Sequence, residues 1–292
     1  MEYEIGDILK SFREYKSMTI EELADGICTV EELASFEKEK AYPTIEQLHK
    51  LGIKLNIELS YFFEVASKST INYSTAVTQI IEKYKRERNY HAIYHIVQKE
   101  KLNPIFNIGY LKQYLLWHEG ISTFYIESDL KKAISFLYEA IKITNPSKHN
   151  LNERETEILN SIAILLFESR DYKSAFPIFL EALTNLDQLP HILNPKVKIR
   201  VLFGLSQVFT QLGQYNESLI YCQQGINLCI NEESLYCLNE FYYQTGENLI
   251  KLGEIEKGKA SFEKCLFLLK LENKTKIISL IEKEMDKLLS FS

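Results

Sequence analysis

Two sets of side chains in this 292-residue chain are of types and spacings that could do chemistry. The first lies in ICTVEELASFEKEKAYP, residues 27–43, which has the outline of a base-reading helix yet carries Glu31, Glu32, Glu37 and Glu39 against Lys38 and Lys40. The second recurs through the later half of the chain: His118, Ser122 and Tyr125, then Asn160, Ile164 and Phe167, then Arg200, Phe203, Gln207 and Gln211, then Glu240, Tyr243, Gln244 and Glu247. Asn and Gln can pair with both the N–H and the C=O of an extended peptide backbone, aromatic rings supply pockets, and Arg can take a carboxylate bidentately. The chemistry on offer is recognition rather than bond making.

Other chemistries find no support. The five cysteines (Cys28, Cys222, Cys229, Cys237 and Cys265) form no C-x-x-C pair and lie in segments with helical apolar spacing, which predicts free buried thiols. His91 and His95 stand at i,i+4 with no third ligand near in sequence, so no metal site is expected. There is no glycine-rich phosphate loop, no H-E-x-x-H and no G-x-S-x-G, and neither an enzyme nor a cofactor is expected. The acidic start MEYEIGD has no apolar run behind it, and no stretch reaches the ~18 apolar residues of a membrane span, so a cytoplasmic protein without membrane contact is expected.

The elements that must position the first set are short. Ile5, Leu9 and Phe12 make one apolar helix stripe. Thr19-Ile20-Glu21-Glu22 is a capping box opening a second helix with Leu23, Ala24 and Ile27, and Thr29-Val30-Glu31-Glu32 is another opening a third with Leu33 and Phe36. Two capped helices about three residues apart are the helix-turn-helix layout. Pro43 and Thr44 lead into a helix at 45–55, and a segment at 58–65 with Leu59, Phe62 and Phe63 closes the bundle. Residues 1–66 hold seven Lys/Arg against fourteen Asp/Glu, a net of −7, while the remainder is close to neutral.

The second set sits in repeats. Residues 129–133, 171–175, 214–218 and 254–258 align, each ending in a small residue and spaced by 42, 43 and 40 residues. Four positions later come Leu137, Phe179, Cys222 and Phe262, and three beyond those Ala140, Ala182, Gly225 and Cys265. Preceding helices supply Trp117, Leu159, Leu202 and Tyr242, with Phe124, Leu166, Phe209 and Leu249 seven further on. This is a tetratricopeptide-like pattern, in which small residues let antiparallel helices approach and large ones fill the groove between. A degenerate unit turning at Asn89-Tyr90-His91-Ala92-Ile93 precedes them, and a helix at 274–290 caps the array. The expected fold is all-α: an N-terminal helix-turn-helix bundle, then a superhelical array of about five tetratricopeptide-like helix pairs with a C-terminal capping helix. The expected domains are 1–66, a connecting region at 67–85 and a repeat domain at 74–292.

Ile5-Gly6, Phe12-Arg13, Thr19 with Glu22-Leu23-Ala24, Phe36-Glu37 and Tyr42-Pro43-Thr44 resemble the XRE-type helix-turn-helix domain. With the repeats, and with Ile27-Cys28, Ala41-Tyr42-Pro43 and Tyr242-Tyr243-Gln244-x-Gly246-Glu247, the whole chain resembles the PlcR-type peptide-sensing regulators of the RRNPP group. The resemblance implies a homodimer reading two half-sites of palindromic promoter DNA, joined through the repeats and the helix around 66–85. It implies further that the repeats bind a short re-imported signalling peptide, as in quorum sensing, with an Asn clamping its backbone at Asn160 and further contacts at Tyr243 and Gln244. The full peptide-binding expectation is His118, Tyr125, Asn160, Arg200, Gln207, Gln211, Tyr243, Gln244 and Glu247.

On the DNA side the chain departs from the pattern. Ile20 stands where a Gln is common, Glu39 where Gly is usual, and the third helix offers Val30, Glu31, Ala34 and Ser35. Glu can accept only from cytosine N4. The expected DNA contacts are Thr19, Thr29, Val30, Glu31 and Ser35, with Arg13, Lys16, Lys38 and Lys40 supplying phosphate attraction. A competing expectation is a protein-binding scaffold or anti-regulator whose helix-turn-helix no longer binds DNA.

Overall fold

The computed structural model describes residues 5–38, 40–62, 73–147 and 149–290. The described residues are helical throughout, with no strand among them. By their contacts they divide into two compact units, Met1–Ile80 and Ile81–Ser292. Glu39, Phe63 and the sequence-predicted boundary near 66–72 lie outside the described residues.

The N-terminal unit contains α1 (Ile5–Tyr15), α2 (Ile20–Ala24), α3 (Val30–Phe36) and α4 (Ile45–Leu55), with a helical turn at 59–62. Both sequence-predicted capping boxes form: Thr19 Oγ1 accepts from Glu22 N at 3.1 Å, and Thr29 Oγ1 from Glu32 N at 3.1 Å. Each Glu carboxylate in turn accepts from the N–H of its Thr. Thr44 does the same with Gln47. α2 is shorter than expected, because the chain turns at Gly26 with φ +72°, and Ile27 packs from that turn rather than from the helix. Leu9, Leu23, Leu33, Leu51, Leu55 and Phe62 are fully buried in the core they share.

The second unit pairs its helices in order. The pairs are α5 (Tyr73–Arg86) with α6 (Tyr90–Glu100), α7 (Gly109–Glu127) with α8 (Leu130–Thr144), and α9 (Glu153–Glu168) with α10 (Tyr172–Gln188). Then come α11 (Pro195–Gln211) with α12 (Tyr215–Asn231), α13 (Leu238–Lys251) with α14 (Ile255–Leu271), and the cap α15 (Thr275–Ser290). The α5 helix runs across the division between the units, so only its second half belongs to this one. Small residues at the repeat positions are buried as the pattern requires: Ala133, Ala175, Ser218, Ala140, Ala182 and Cys265 are all at 0% exposure.

The five turns within pairs share one backbone device. Arg88, Ser128, Arg170, Gly213 and Gly253 all have φ between +53° and +82°, each two residues before the second helix of its pair. A left-handed residue here ends one helix and starts its partner at a constant angle. In three of these pairs the next residue, Asn89, Asp129 or Asp171, then caps the second helix through its side chain.

The third full repeat fills its groove differently from the others. Cys222 stands where Leu137, Phe179 and Phe262 are, and the missing bulk comes from Phe241 of the following helix α13, which is fully buried. Gly225 is what admits it, since a Cβ there would lie 2.0 Å from the Phe241 ring. Gly204 receives the Phe179 ring in the same way.

Candidate functional site

The first helices of four pairs, α7, α9, α11 and α13, carry two recurrent positions. One holds His118, Asn160, Phe203 and Tyr243, each directly after the core position of Trp117, Leu159, Leu202 and Tyr242. The other lies three residues earlier and holds Leu115, Glu157, Arg200 and Glu240. Buried side-chain atoms without a hydrogen-bond partner concentrate at these positions: His118 Nε2, Asn160 Oδ1, Arg200 Nε and Glu240 Oε2, with Thr123 Oγ1 the fifth among the described residues. Native interiors leave few such atoms, because each costs about 1–3 kcal/mol of desolvation. Four of them fall at two repeat-equivalent positions.

Local surroundings explain how each is held. His118 is 1% exposed, and its Nδ1 lies 2.9 Å from the Tyr114 carbonyl, to which it donates when neutral. Burial, reinforced by nearby Lys85, pushes its pKa down to about 3, so Nε2 is a bare acceptor, 3.8 Å from Glu82. Tyr114 donates to the same Glu82 carboxylate at 3.0 Å, and Lys85 pairs with it at 2.7 Å. Asn160 is 1% exposed on α9. Arg200 forms an ion pair with Glu157, which fixes the guanidinium and leaves its Nε open. Tyr125 is partly buried and stacks on Tyr90 at 3.8 Å between ring centroids.

At the far end, Phe203, Gln207, Asn239, Glu240, Tyr243 and Gln244 line a cavity of about 220 Å³ with Cys265 and, from the cap, Ile277 and Ile281. Burial pushes the Tyr243 hydroxyl up to about 12, so it stays a donor, and pushes the Glu240 carboxyl upward as well. The structure thus brings Gln207, Tyr243 and Gln244 of the sequence-predicted set together, with His118, Asn160 and Arg200 further along the same series of helices. Gln244 is only 4% exposed and bridges: its amide donates to Thr210 Oγ1 at 2.8 Å and to Glu247 at 2.9 Å. Glu247 is also held by Lys251 at 2.7 Å. Gln211 is exposed at the end of α11. Sequence reading missed the buried chain behind them, in which Thr210, Ser218 and Asn248 hydrogen-bond one another across three helices. Only contacts 8–38 residues apart create it.

In the N-terminal unit α3 exposes Val30 and Glu31, and Ser35 is partly exposed. The Thr19 and Thr29 hydroxyls are occupied by their caps. Arg13 is 12% exposed and grips Glu37 through Nε at 2.6 Å and Nη2 at 2.8 Å, while Nη1 donates to the Met18 carbonyl. That geometry ties α1 to the end of α3, so the guanidinium is a structural clamp rather than a free cation. Lys16, Lys38 and Lys40 are exposed. Among the described residues no group of three or more His, Cys, Asp or Glu could hold a metal ion, and no helix is long and apolar enough to cross a membrane.

The RNPP family C-terminal domain matches residues 77–289. Among solved structures the chain is similar to Bacillus thuringiensis PlcR in complex with a peptide and DNA, at 23% identity and a TM-score of 0.71 over 94% of this chain and 99% of that one. It is also similar to the Streptococcus dysgalactiae SHP pheromone receptor Rgg2, at 16% identity and a TM-score of 0.66 over 97% and 99%. A third similar structure is S. thermophilus ComR in complex with DNA and its signalling peptide, at 14% identity and a TM-score of 0.62 over 97% and 99%. No curated protein sequence matches the chain significantly.

Proposed function

Because the chain belongs to the RNPP family, a family of regulators rather than enzymes, we propose that it is a quorum-sensing transcriptional regulator that binds a short peptide on the inner face of its repeats and, as a homodimer, palindromic promoter DNA. The observation that carries the peptide reading is the set of four unpartnered buried atoms on successive first helices. Three are acceptors and one is a donor, which suits the alternating N–H and C=O groups of an extended backbone. His118, Asn160, Arg200, Gln207 and Tyr243 make the contacts, with Tyr125 and Gln211 at the edges and Gln244 and Glu247 holding the surface from behind.

Peptide binding acts by its differential affinity for alternative dimer geometries, of which one spaces the two α3 helices to match half-sites. In DNA binding Val30, Glu31 and Ser35 face the bases, and Lys16, Lys38 and Lys40 the phosphates. Dimerisation through the repeats and the 73–86 helix belongs to the same reading. Titrating the purified protein with peptides encoded beside its gene, with and without promoter DNA, tests it. Peptide binding together with a change in DNA affinity supports the reading, and absence of both sinks it.

A second reading has its own support. The net −7 of residues 1–66 and the removal of Arg13 from the cation supply fit a helix-turn-helix that contacts protein instead of DNA. Phosphate contacts impose a fall in affinity as salt rises. A salt titration showing no such fall selects the second reading.

A further inference from the structure

The cavity between α11, α13 and α15 has a charge imbalance that bears on what occupies it. The cation whose charge reaches Glu240, Lys274, is already paired with Glu272 at 3.1 Å. Glu240 itself appears in no ion pair, and its Oε2 is buried without a hydrogen bond. The other charges felt at this end, Glu247 and Glu284 near Tyr243 and Glu272 near Glu240, are negative. The cavity beside the carboxylate is walled by Phe203, the Tyr243 ring, Cys265, Ile277 and Ile281, with the amides of Gln207, Asn239 and Gln244 also lining it.

A buried carboxylate costs least when a positive donor reaches it, and a charge-assisted hydrogen bond then gains roughly twice what a neutral one does. Burial holds the Glu240 carboxyl above the usual carboxylate range, against the opposing pull of its backbone hydrogen bond and of Lys274.

Resting on the peptide reading above, we propose that Glu240 is its specificity-determining residue, selecting a peptide that brings a positively charged nitrogen to Oε2 and an apolar side chain into the adjoining cavity. The nitrogen comes from a Lys or Arg side chain or from a free amino terminus. Either source meets the same carboxylate, and a neutral or acidic peptide leaves it open.

The test uses the full chain and a pool of short synthetic peptides, each with one aromatic or aliphatic residue. Four versions are compared: with and without Lys, and with free or acetylated amino termini. Retained peptides are identified by mass spectrometry. The wild-type protein is expected to favour the cationic versions by about tenfold, the size of one hydrogen bond to a charged group. Whichever change removes the preference names the source of the nitrogen. Glu240→Gln, nearly isosteric, should abolish the preference without abolishing binding, and Glu240→Lys should turn it towards acidic peptides, with thermal unfolding confirming that both variants fold. Equal retention of acetylated, Lys-free peptides by the wild type overturns the proposal, as does an unchanged preference in Glu240→Gln. If the folded wild type retains no peptide in any version, the peptide reading itself falls, and this proposal with it.

Discussion

In the N-terminal unit Arg13 and Glu37 close on each other, and Thr19, Thr29 and Thr44 close on the residues three places ahead of them. In the repeats, His118 Nε2, Asn160 Oδ1, Arg200 Nε and Glu240 Oε2 close on nothing. Both regions use buried polar groups to fix helices against one another, as Thr210, Ser218 and Asn248 do in the repeats, but the repeats also leave these four atoms without a partner. A polar group that is satisfied internally contributes to stability, whereas one left open costs stability until something binds.

The largest effect that could break this contrast belongs to the clamp. Arg13→Ala leaves Glu37, 5% exposed, as an uncompensated buried charge and should cost about 3 kcal/mol, seen as a lowered chemical-denaturation midpoint of the N-terminal unit. If that midpoint hardly moves, the clamp is not structural. Next in size is a pH effect at the open site. His118 has its pKa lowered from 6.5 to about 3 in the fold, so the unfolded chain binds the extra proton first, and stability falls as pH drops through that window. The loss should be on the order of 2 kcal/mol and should be flattened in His118→Gln, as measured by denaturation at pH 7 and pH 4. Smaller again, Thr29→Ala removes the cap of α3 and should cost about 1 kcal/mol in the same denaturation experiment. Smallest is Asn160→Leu, which removes an unsatisfied acceptor and should change stability by less than about 0.5 kcal/mol while weakening peptide binding in a calorimetric titration. A marked destabilisation there would mean that Asn160 is structural and would erase the contrast at its most informative residue.

How much could be read in advance follows from the range of each interaction. Thr19 with Glu22 and Thr29 with Glu32 are three residues apart, so their caps were legible. The repeat was legible because Ala133, Ala175 and Ala140, Ala182 recur at a fixed spacing that packing demands. Arg13 with Glu37 is not, being 24 residues apart, so that in the sequence charge alone points Arg13 towards phosphate. The left-handed turns were also hidden, since Arg88, Ser128 and Arg170 stand where glycine would announce them. At the candidate site, register picks out the repeat-equivalent positions on α7, α9, α11 and α13 at which the unpartnered atoms fall. It could not tell the open atoms of Asn160 and Glu240 from the engaged amide of Gln244, because the partners of Gln244 include Thr210, 34 residues earlier.

The Phe241 ring seated over Gly225 has a consequence for how the array can be cut. A chain ending after α12 would not merely lose its last two units: it would leave the third full repeat with a ring-sized hole beside Cys222. The boundary between those two helix pairs is therefore a seam in sequence but not in the solid, and an insertion or a gene-fusion breakpoint in the loop at 232–237 would have to preserve the approach of α13 to α12. The same holds at 189–194, where the Phe179 ring of α10 is seated over Gly204 of α11.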